Sequence, residues 1–301
     1  ANVIPGVSGG TIALLTGIYN ELISTLKSFN GKAVKLLFSF KFKALFSQIN
    51  IGFLFVLFFG AIVGIVSLGK FFKWVIELER EVNGQTIKHG YEPILFALFF
   101  GLILASVYYV GKTIKNWNFN SILSGIIGCC IAIILVMVKP ASESDDMLYL
   151  FLCGIIAMSS MLLPGLSGSF VLILMGNYYL IMIDSVQEFN FKVLGVVFLG
   201  AIVGFIILSN LISFLLKRFE DVTLSSLTGF IFGSLVTIWP WKTIVRKEVN
   251  YKEVIVGYKD WVLPEFNSFD WMLVLFIVVG FFMVFGFEKM GGYLKTKSEN
   301  N

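Results

Sequence analysis

The stretch Pro5-Gly6-Val7-Ser8-Gly9-Gly10-Thr11-Ile12-Ala13-Leu14-Leu15-Thr16-Gly17-Ile18-Tyr19 recurs as Pro164-Gly165-Leu166-Ser167-Gly168-Ser169-Phe170-Val171-Leu172-Ile173-Leu174-Met175-Gly176-Asn177-Tyr178. The Pro, Gly, Ser, Gly, later Gly and Tyr match without a gap. Both copies interrupt apolar sequence with residues that break helices. Proline removes a backbone donor and clashes with the preceding turn, and glycine favours dihedrals outside the helix. Two further matches follow in the same order. Gly60-Ala61-Ile62-Val63-Gly64 is identical to Gly200-Ala201-Ile202-Val203-Gly204, and Phe100-Gly101 pairs with Phe232-Gly233. Ordered matches at three places read as an internal duplication, with halves of about 1–140 and 141–301.

Around these breaks the chain is strongly apolar: 57% hydrophobic, 14% charged, with 32 Phe in 301 residues. Its mean hydropathy is +0.87. A soluble domain of this size carries close to a quarter charged residues, so a water-soluble fold is excluded. Apolar runs long enough to cross a ~30 Å hydrocarbon layer predict spanning helices at roughly 53–76, 93–111, 121–138, 193–216, 224–239 and 271–288. The expected fold is an all-α polytopic membrane protein. Each half is one broken element followed by three spanning helices.

The broken elements cannot be pairs of spans, because 16 residues at 1.5 Å reach only ~24 Å. They read as re-entrant hairpins with tips at 5–11 and 164–169. About sixteen apolar residues precede the second tip and only four residues the first, so another arm of the first hairpin is expected upstream of Ala1. With three spans per half, an odd number, the halves are expected to be inverted relative to each other.

Unwound backbone in a bilayer is tolerated where protein buries it or where it lines a cavity. A helix starting just after such a tip presents free N–H groups and a positive dipole end, the physics of an anion site. Ser8, Thr11, Ser167 and Ser169 add hydroxyl donors, and Gly9, Gly10 and Gly168 give an oxyanion access to backbone. Broken helices in corresponding halves also point to a transporter's central site. The alternative for a single copy, a kink or tight turn, is weakened by the recurrence. The Gly-Ala-Ile-Val-Gly segments read as helix-packing surfaces, since small residues four apart let backbones approach.

Charge adds little. The net charge of +4 is scattered, so nucleic-acid binding has no support. Cys129, Cys130 and Cys153 lie in apolar runs without ligand spacing to His89, the one histidine, so no metal or other cofactor is expected. Lys70 and Glu92 are the candidate charge partners, Lys70 as the nearest basic group to a bound anion and Glu92 through proton coupling. Their bland readings are a snorkelling helix-end Lys and an interfacial acid ahead of Pro93. Five lysines in 27–43 place that side, and with it the C-terminus, in the cytoplasm.

At Asn2-Val3-Ile4 with 5–11, and at 164–169, the sequence resembles a bacterial and archaeal membrane family, formerly a domain of unknown function, whose members are polyprenyl-phosphate (undecaprenyl-phosphate) transporters. Phe99-Phe100-Gly101-Leu102-Ile103, Gly233-Ser234-Leu235 and Trp239-Pro240-Trp241 are similar to that family too. The resemblance covers essentially the whole chain. The second tip departs from the first, with Ser169-Phe170 where the first has Gly10-Thr11. The resemblance implies a translocase that returns a C55-type lipid-carrier phosphate across the cell membrane, its head group between the tips and its prenyl tail in lipid. The implied partners are polyprenyl phosphate, membrane lipid, and a proton or sodium ion as coupling ion. Two rivals stand beside it. A membrane lipid phosphatase needs a nucleophile, an acid–base partner and basic clamps, for which one His and three Arg provide poor material. A small-anion transporter is the other.

Overall fold

The computed structural model describes Ala13 and residues 17–29, 31–77, 80–82, 85–87, 90–249 and 252–299. Helix α1 (Tyr19–Lys27) is followed by two short helices, α2 (Gly31–Phe38) and α3 (Phe42–Gln48), and by the long α4 (Ile51–Glu77). Then come α5 (Glu92–Thr113), α6 (Phe119–Met137), α7 (Met147–Leu162) and α8 (Gly168–Leu174). A π-helical turn (Leu180–Asp184) leads to α9 (Phe191–Arg218), then α10 (Glu220–Ser234) with a 3-10 extension (Leu235–Ile238), and α11 (Ser268–Glu299). The helix starts are chemically marked. Asn118, Asp146 and Asn190 side chains accept from the N–H of Ser121, Tyr149 and Val193 at the heads of α6, α7 and α9, and Pro93 sits in the first turn of α5.

All six expected spans are helical. Five of them (α5, α6, α9, α10 with its extension, and α11) are long and apolar enough to cross a membrane. The described start of α4 (Ile51–Gly64) forms with α3 a pair bent by 75°. The chain is a multi-pass membrane protein. Helix α7, at 16 residues, is the shorter apolar element expected of a hairpin arm. What the all-helical expectation lacks is two antiparallel ribbons, β1 (Arg80–Val82) with β2 (Gln85–Ile87), and β3 (Thr243–Val249) with β4 (Lys252–Lys259). Both belong to loops at the end of the bundle where α5 and α11 begin. The β-branched Thr243, Ile244, Val245 and Val249 favour a strand once the chain has left the apolar layer.

Three helix pairs pack backbone to backbone, and glycine makes each contact. A Cβ on Gly101 would overlap the carbonyl of Ile277, and one on Gly280 that of Leu98, so α5 and α11 touch at their main chains. Gly128, Gly229 and Gly233 do the same for α6 and α10, against the Ser226, Gly125 and Cys129 carbonyls. Gly154, Gly200 and Gly204 do so for α7 and α9, against Val197, Phe151 and Ile155. Without a hydrophobic driving force between helices in lipid, such close packing is the main source of association. Each pair runs parallel. Tyr91 stacks edge-on to Phe269 at one end of α5–α11 and Tyr109 to Phe285 at the other.

The packing expected of the second small-residue segment is met: Gly200 and Gly204 hold α9 against α7, whereas around Gly60 and Gly64 no described atom lies within 4 Å of where a Cβ would stand. The partner that α9 finds in α7 has no counterpart beside α4 among the described residues.

Candidate functional site

The second break is a turn inside the bundle. Helix α7 ends at Leu162, the chain reverses through Leu163–Gly165, and α8 runs back beside α7. The return is closed by Ala141 N–H donating to Leu174 O (2.8 Å), Asn177 Nδ2 to Ser144 O (2.6 Å) and Tyr149 Oη to Met175 O (2.8 Å). The end of α8 therefore lies next to the start of α7, so this element does not cross the bundle. Gly165 has φ +89°, a conformation that needs glycine, and its missing Cβ would stand 3.0 Å from Ser234 Oγ on α10.

From the opposite end, α1 reaches the same place. Tyr19 Oη donates to Leu162 O at 3.0 Å. Ala13, Tyr19, Ile23, Leu162, Ile212 and Leu227 form one buried cluster with Leu163 packed on it. The C-terminal end of α1 points the other way, where Lys27 Nζ donates to Ser213 Oγ near the end of α9 (3.4 Å). The tip residues Ser8, Gly9, Gly10 and Thr11 lie outside the described residues. Ala13, two residues beyond Thr11, is the nearest described neighbour.

Around the second tip is a cavity with room for about one water (10 Å³). Ala132, Leu135 and Val136 of α6 form one wall and Phe230, Ser234 and Thr237 of α10 and its extension another; Gly165, Leu166, Ser167 and Phe170 close it. Ser167 stands at the N-cap position of α8, yet its hydroxyl does not cap the helix. It meets Ser169 Oγ at 2.7 Å instead. The first backbone bond of α8 is Val171 N–H to Ser167 O, so the N–H groups of Gly168, Ser169 and Phe170 precede the helical ladder. Ser234 Oγ is held on Ile231 O at 2.7 Å.

Gly168 departs from its expected part. A Cβ there would meet Met161 Cγ at 2.8 Å and Ala157 O at 2.9 Å. Its bare face therefore packs against the inbound arm of the same hairpin, and what it can present to an anion is its N–H group.

The charge partners lie elsewhere. Lys70 is in the last two turns of α4, and its side chain is outside the description. Glu92 is buried in the first turn of α5 and does not line the cavity. Its neighbour is Lys242, whose ammonium sits 3.7 Å from the Phe96 ring centroid and donates to Trp239 O at 3.1 Å. Burial pushes Lys242 down to about 7, against a pull upward from the Glu92 charge. Alongside, Trp241 Nε1 donates to Asp270 Oδ1 (2.7 Å) in the first turn of α11. The Trp-Pro-Trp-Lys segment thus ties the starts of α5 and α11 to the end of α10.

A family model described as undecaprenyl phosphate translocase-like matches residues 1–256. The chain belongs to this family. Among curated relatives, a polyprenyl-phosphate transporter of Vibrio cholerae is 33% identical over 298 residues, covering 96% of this chain and 92% of the relative. A polyprenyl-phosphate transporter of Staphylococcus aureus is 32% identical over 278 residues, covering 86% and 89%. No solved structure matches.

The matched family region takes in both tips, the cavity walls and Lys242. The sequence reading did not name Ser234, Thr237 or Lys242 as site residues. Ser234 and Thr237 read as small polar residues in an apolar helix, and only the fold sets them against Ser167. Lys242 carried a weak signal, a cation placed directly after two tryptophans at a span end.

Proposed function

We propose that the protein carries polyprenyl monophosphate across the cytoplasmic membrane, without covalent chemistry, by passing the phosphate between the tips of two hairpins that enter from opposite faces. The observation that carries this reading is the meeting of α1 and the second hairpin at Tyr19–Leu162, beside a cavity bearing Ser167, Ser234 and Thr237. The names of the two relatives support the substrate class. A phosphate bearing ~1.5–2 negative charges needs neutralising donors. The second tip offers the hydroxyls of Ser167 and Ser169 and the N–H groups at the head of α8, including that of Gly168. Ser8, Gly9, Gly10 and Thr11 are proposed as their counterparts.

A cavity with room for one water cannot hold a phosphate. On this reading, loading requires the second hairpin to move from α6 and α10. Packing between the halves supports an inverted duplication. If α4, α5 and α6 correspond to α9, α10 and α11, the α5–α11 and α6–α10 contacts exchange into one another. The Lys-rich end, with α2, α3 and the C-terminus, is assigned to the cytoplasm. Glu92, paired with Lys242, is the proposed carrier of a coupling proton, while Lys70 is assigned to the interface.

The test is reconstitution in vesicles with polyprenyl phosphate in one leaflet. Leaflet exchange without release of inorganic phosphate supports a translocase. Phosphate release would favour the phosphatase, and exchange of free phosphate alone would favour the small-anion transporter.

A further inference from the structure

Between α1 and α4 the chain forms a short helical hairpin that translocation itself does not explain. Four lysines (32, 35, 41 and 43) fall here, just after Lys27 at the end of α1, and no acidic residue occurs between Glu21 and Glu77. The same segment carries exposed aromatics. Phe38 and Phe40 are each 78% exposed, and Phe42 and Phe46 are exposed as well. Phe40, Phe42 and Phe46 form one aromatic edge, with ring centroids 6.1 and 6.4 Å apart in succession. The 75° bend between α3 and α4 turns α3 away from the spanning direction.

The hairpin is fixed. Ala33, Leu45 and Ile49 form a small core with Leu36 and Leu54 against it. Gln48 Nε2 donates to Ser28 O (3.0 Å) and Asn50 Nδ2 to Glu21 Oε1 (2.9 Å), tying the segment to α1. The turn between α2 and α3 holds Phe40 at φ +54°, with Lys41 N–H donating to Leu36 O (3.0 Å). A bulky residue is disfavoured in that conformation, where glycine or asparagine is usual. An aromatic ring is thus kept outward at a position that folding alone would give to another residue.

Cationic groups beside exposed phenylalanines, on a short element lying across the end of a membrane helix, match the chemistry of an interfacial anchor for anionic lipid. We propose that α2 and α3 dock anionic phospholipid head groups of the adjoining leaflet, with Lys35, Lys41 and Lys43 on the phosphates and Phe38, Phe40, Phe42 and Phe46 at the acyl boundary. Because the segment is tied to α1, docked lipid also fixes the arm that meets Leu162. A soluble acidic partner would supply the charge complement but no acyl layer for the aromatic edge.

The test uses the full-length protein purified from membranes and exposed to phosphatidylglycerol or phosphatidylcholine. Lipid retention is read by native mass spectrometry and fold by the thermal unfolding midpoint. Wild type should retain phosphatidylglycerol in preference to phosphatidylcholine. Each of Lys35→Gln, Lys41→Gln and Lys43→Gln should weaken retention about fivefold at low salt, with the midpoint unchanged. Phe40→Asn suits the left-handed turn, so it should fold at least as well as wild type while retaining less lipid. Equal retention of both lipids by wild type, or unchanged retention in the triple Gln variant, overturns the proposal. Displacement of phosphatidylglycerol one-for-one by polyprenyl phosphate would also overturn it, marking the segment as a substrate-capture site. None of these readouts uses transport, so the dock and the translocase reading can fail separately.

Discussion

Ser167→Ala removes one hydroxyl from the second tip, and the structure separates its effect on binding from its effect on folding. The Ser167 hydroxyl has Ser169 Oγ as a partner at 2.7 Å and does not cap α8. Ser169 is exposed, so it can exchange that bond for another, and the fold should lose no more than an ordinary hydrogen bond, about 0.5–1.5 kcal/mol. A hydrogen bond to a charged phosphate contributes about 1.5–3 kcal/mol, which is roughly a 10- to 150-fold loss of affinity. Ser234→Ala should behave alike, since its bond to Ile231 O lies within one turn of α10. The assay is equilibrium binding of a short-chain polyprenyl phosphate in detergent, with the thermal midpoint measured on the same samples. Affinity should fall by at least tenfold in both variants while the midpoint moves by a few degrees at most. Unchanged affinity in both would refute the assignment of the phosphate to this cavity. A collapsed midpoint would refute the claim that these hydroxyls are dispensable for folding.

The other predictions separate packing from binding. Gly200→Leu should strongly reduce folded yield in detergent, because its side chain would overlap the Phe151 carbonyl. Gly168→Ala should lower the thermal midpoint, at a cost of about 1–3 kcal/mol from the Ala157 and Met161 contacts, and lower lipid affinity with it; Lys70→Ala should alter neither by a comparable amount. Lys242, held near 7 by burial against an ordinary 10.5, binds fewer protons folded than unfolded across that interval. Stability should therefore rise with pH from about 7 towards 10.5, the penalty for burying its charge being largest below 7. Lys242→Met should flatten that slope in thermal-melt profiles, and an unchanged slope would exclude Lys242 as its source.

What the sequence made legible follows from how much each feature depends on distant residues. Proline and glycine inside apolar runs are local signals, so the second break and all six spans were visible from composition and spacing alone. Helix α10 did run differently at its end, where the 3-10 stretch Leu235–Ile238 carries Thr237 to the cavity. The ribbon at 243–259 also had a local signal, the β-branched Thr243, Ile244, Val245 and Val249 on one side of Asn250-Tyr251 and Val254, Ile255 and Val256 on the other. Glycine roles were legible only in part. The small-residue spacing of Gly200 and Gly204 pointed correctly to helix packing, and Phe151 and Ile155 of α7 stand where their Cβ atoms would be. Which way a single glycine faces depends on its neighbours: the bare Cα of Gly168, in an anion-suited motif, faces Ala157 and Met161.

This limit bears on how the two tips can share one phosphate. A glycine in such a tip has two faces, and the second tip uses the Cα face of Gly168 for its own arm, leaving Ser167 to line the cavity. Where the second tip has Ser169-Phe170 the first has Gly10-Thr11, and Phe170 is buried as part of the cavity wall. On the proposed reading Thr11, at the corresponding place, would supply a hydroxyl where the second tip has a ring, so the two tips would offer unequal donor sets. Two access states related by exchange of the halves would then bind the phosphate with different affinities. Thr11→Phe should diminish that difference, bringing the affinities measured from the two sides of oriented vesicles together. Affinities that keep their original ratio in Thr11→Phe would show that the asymmetry originates outside the tips.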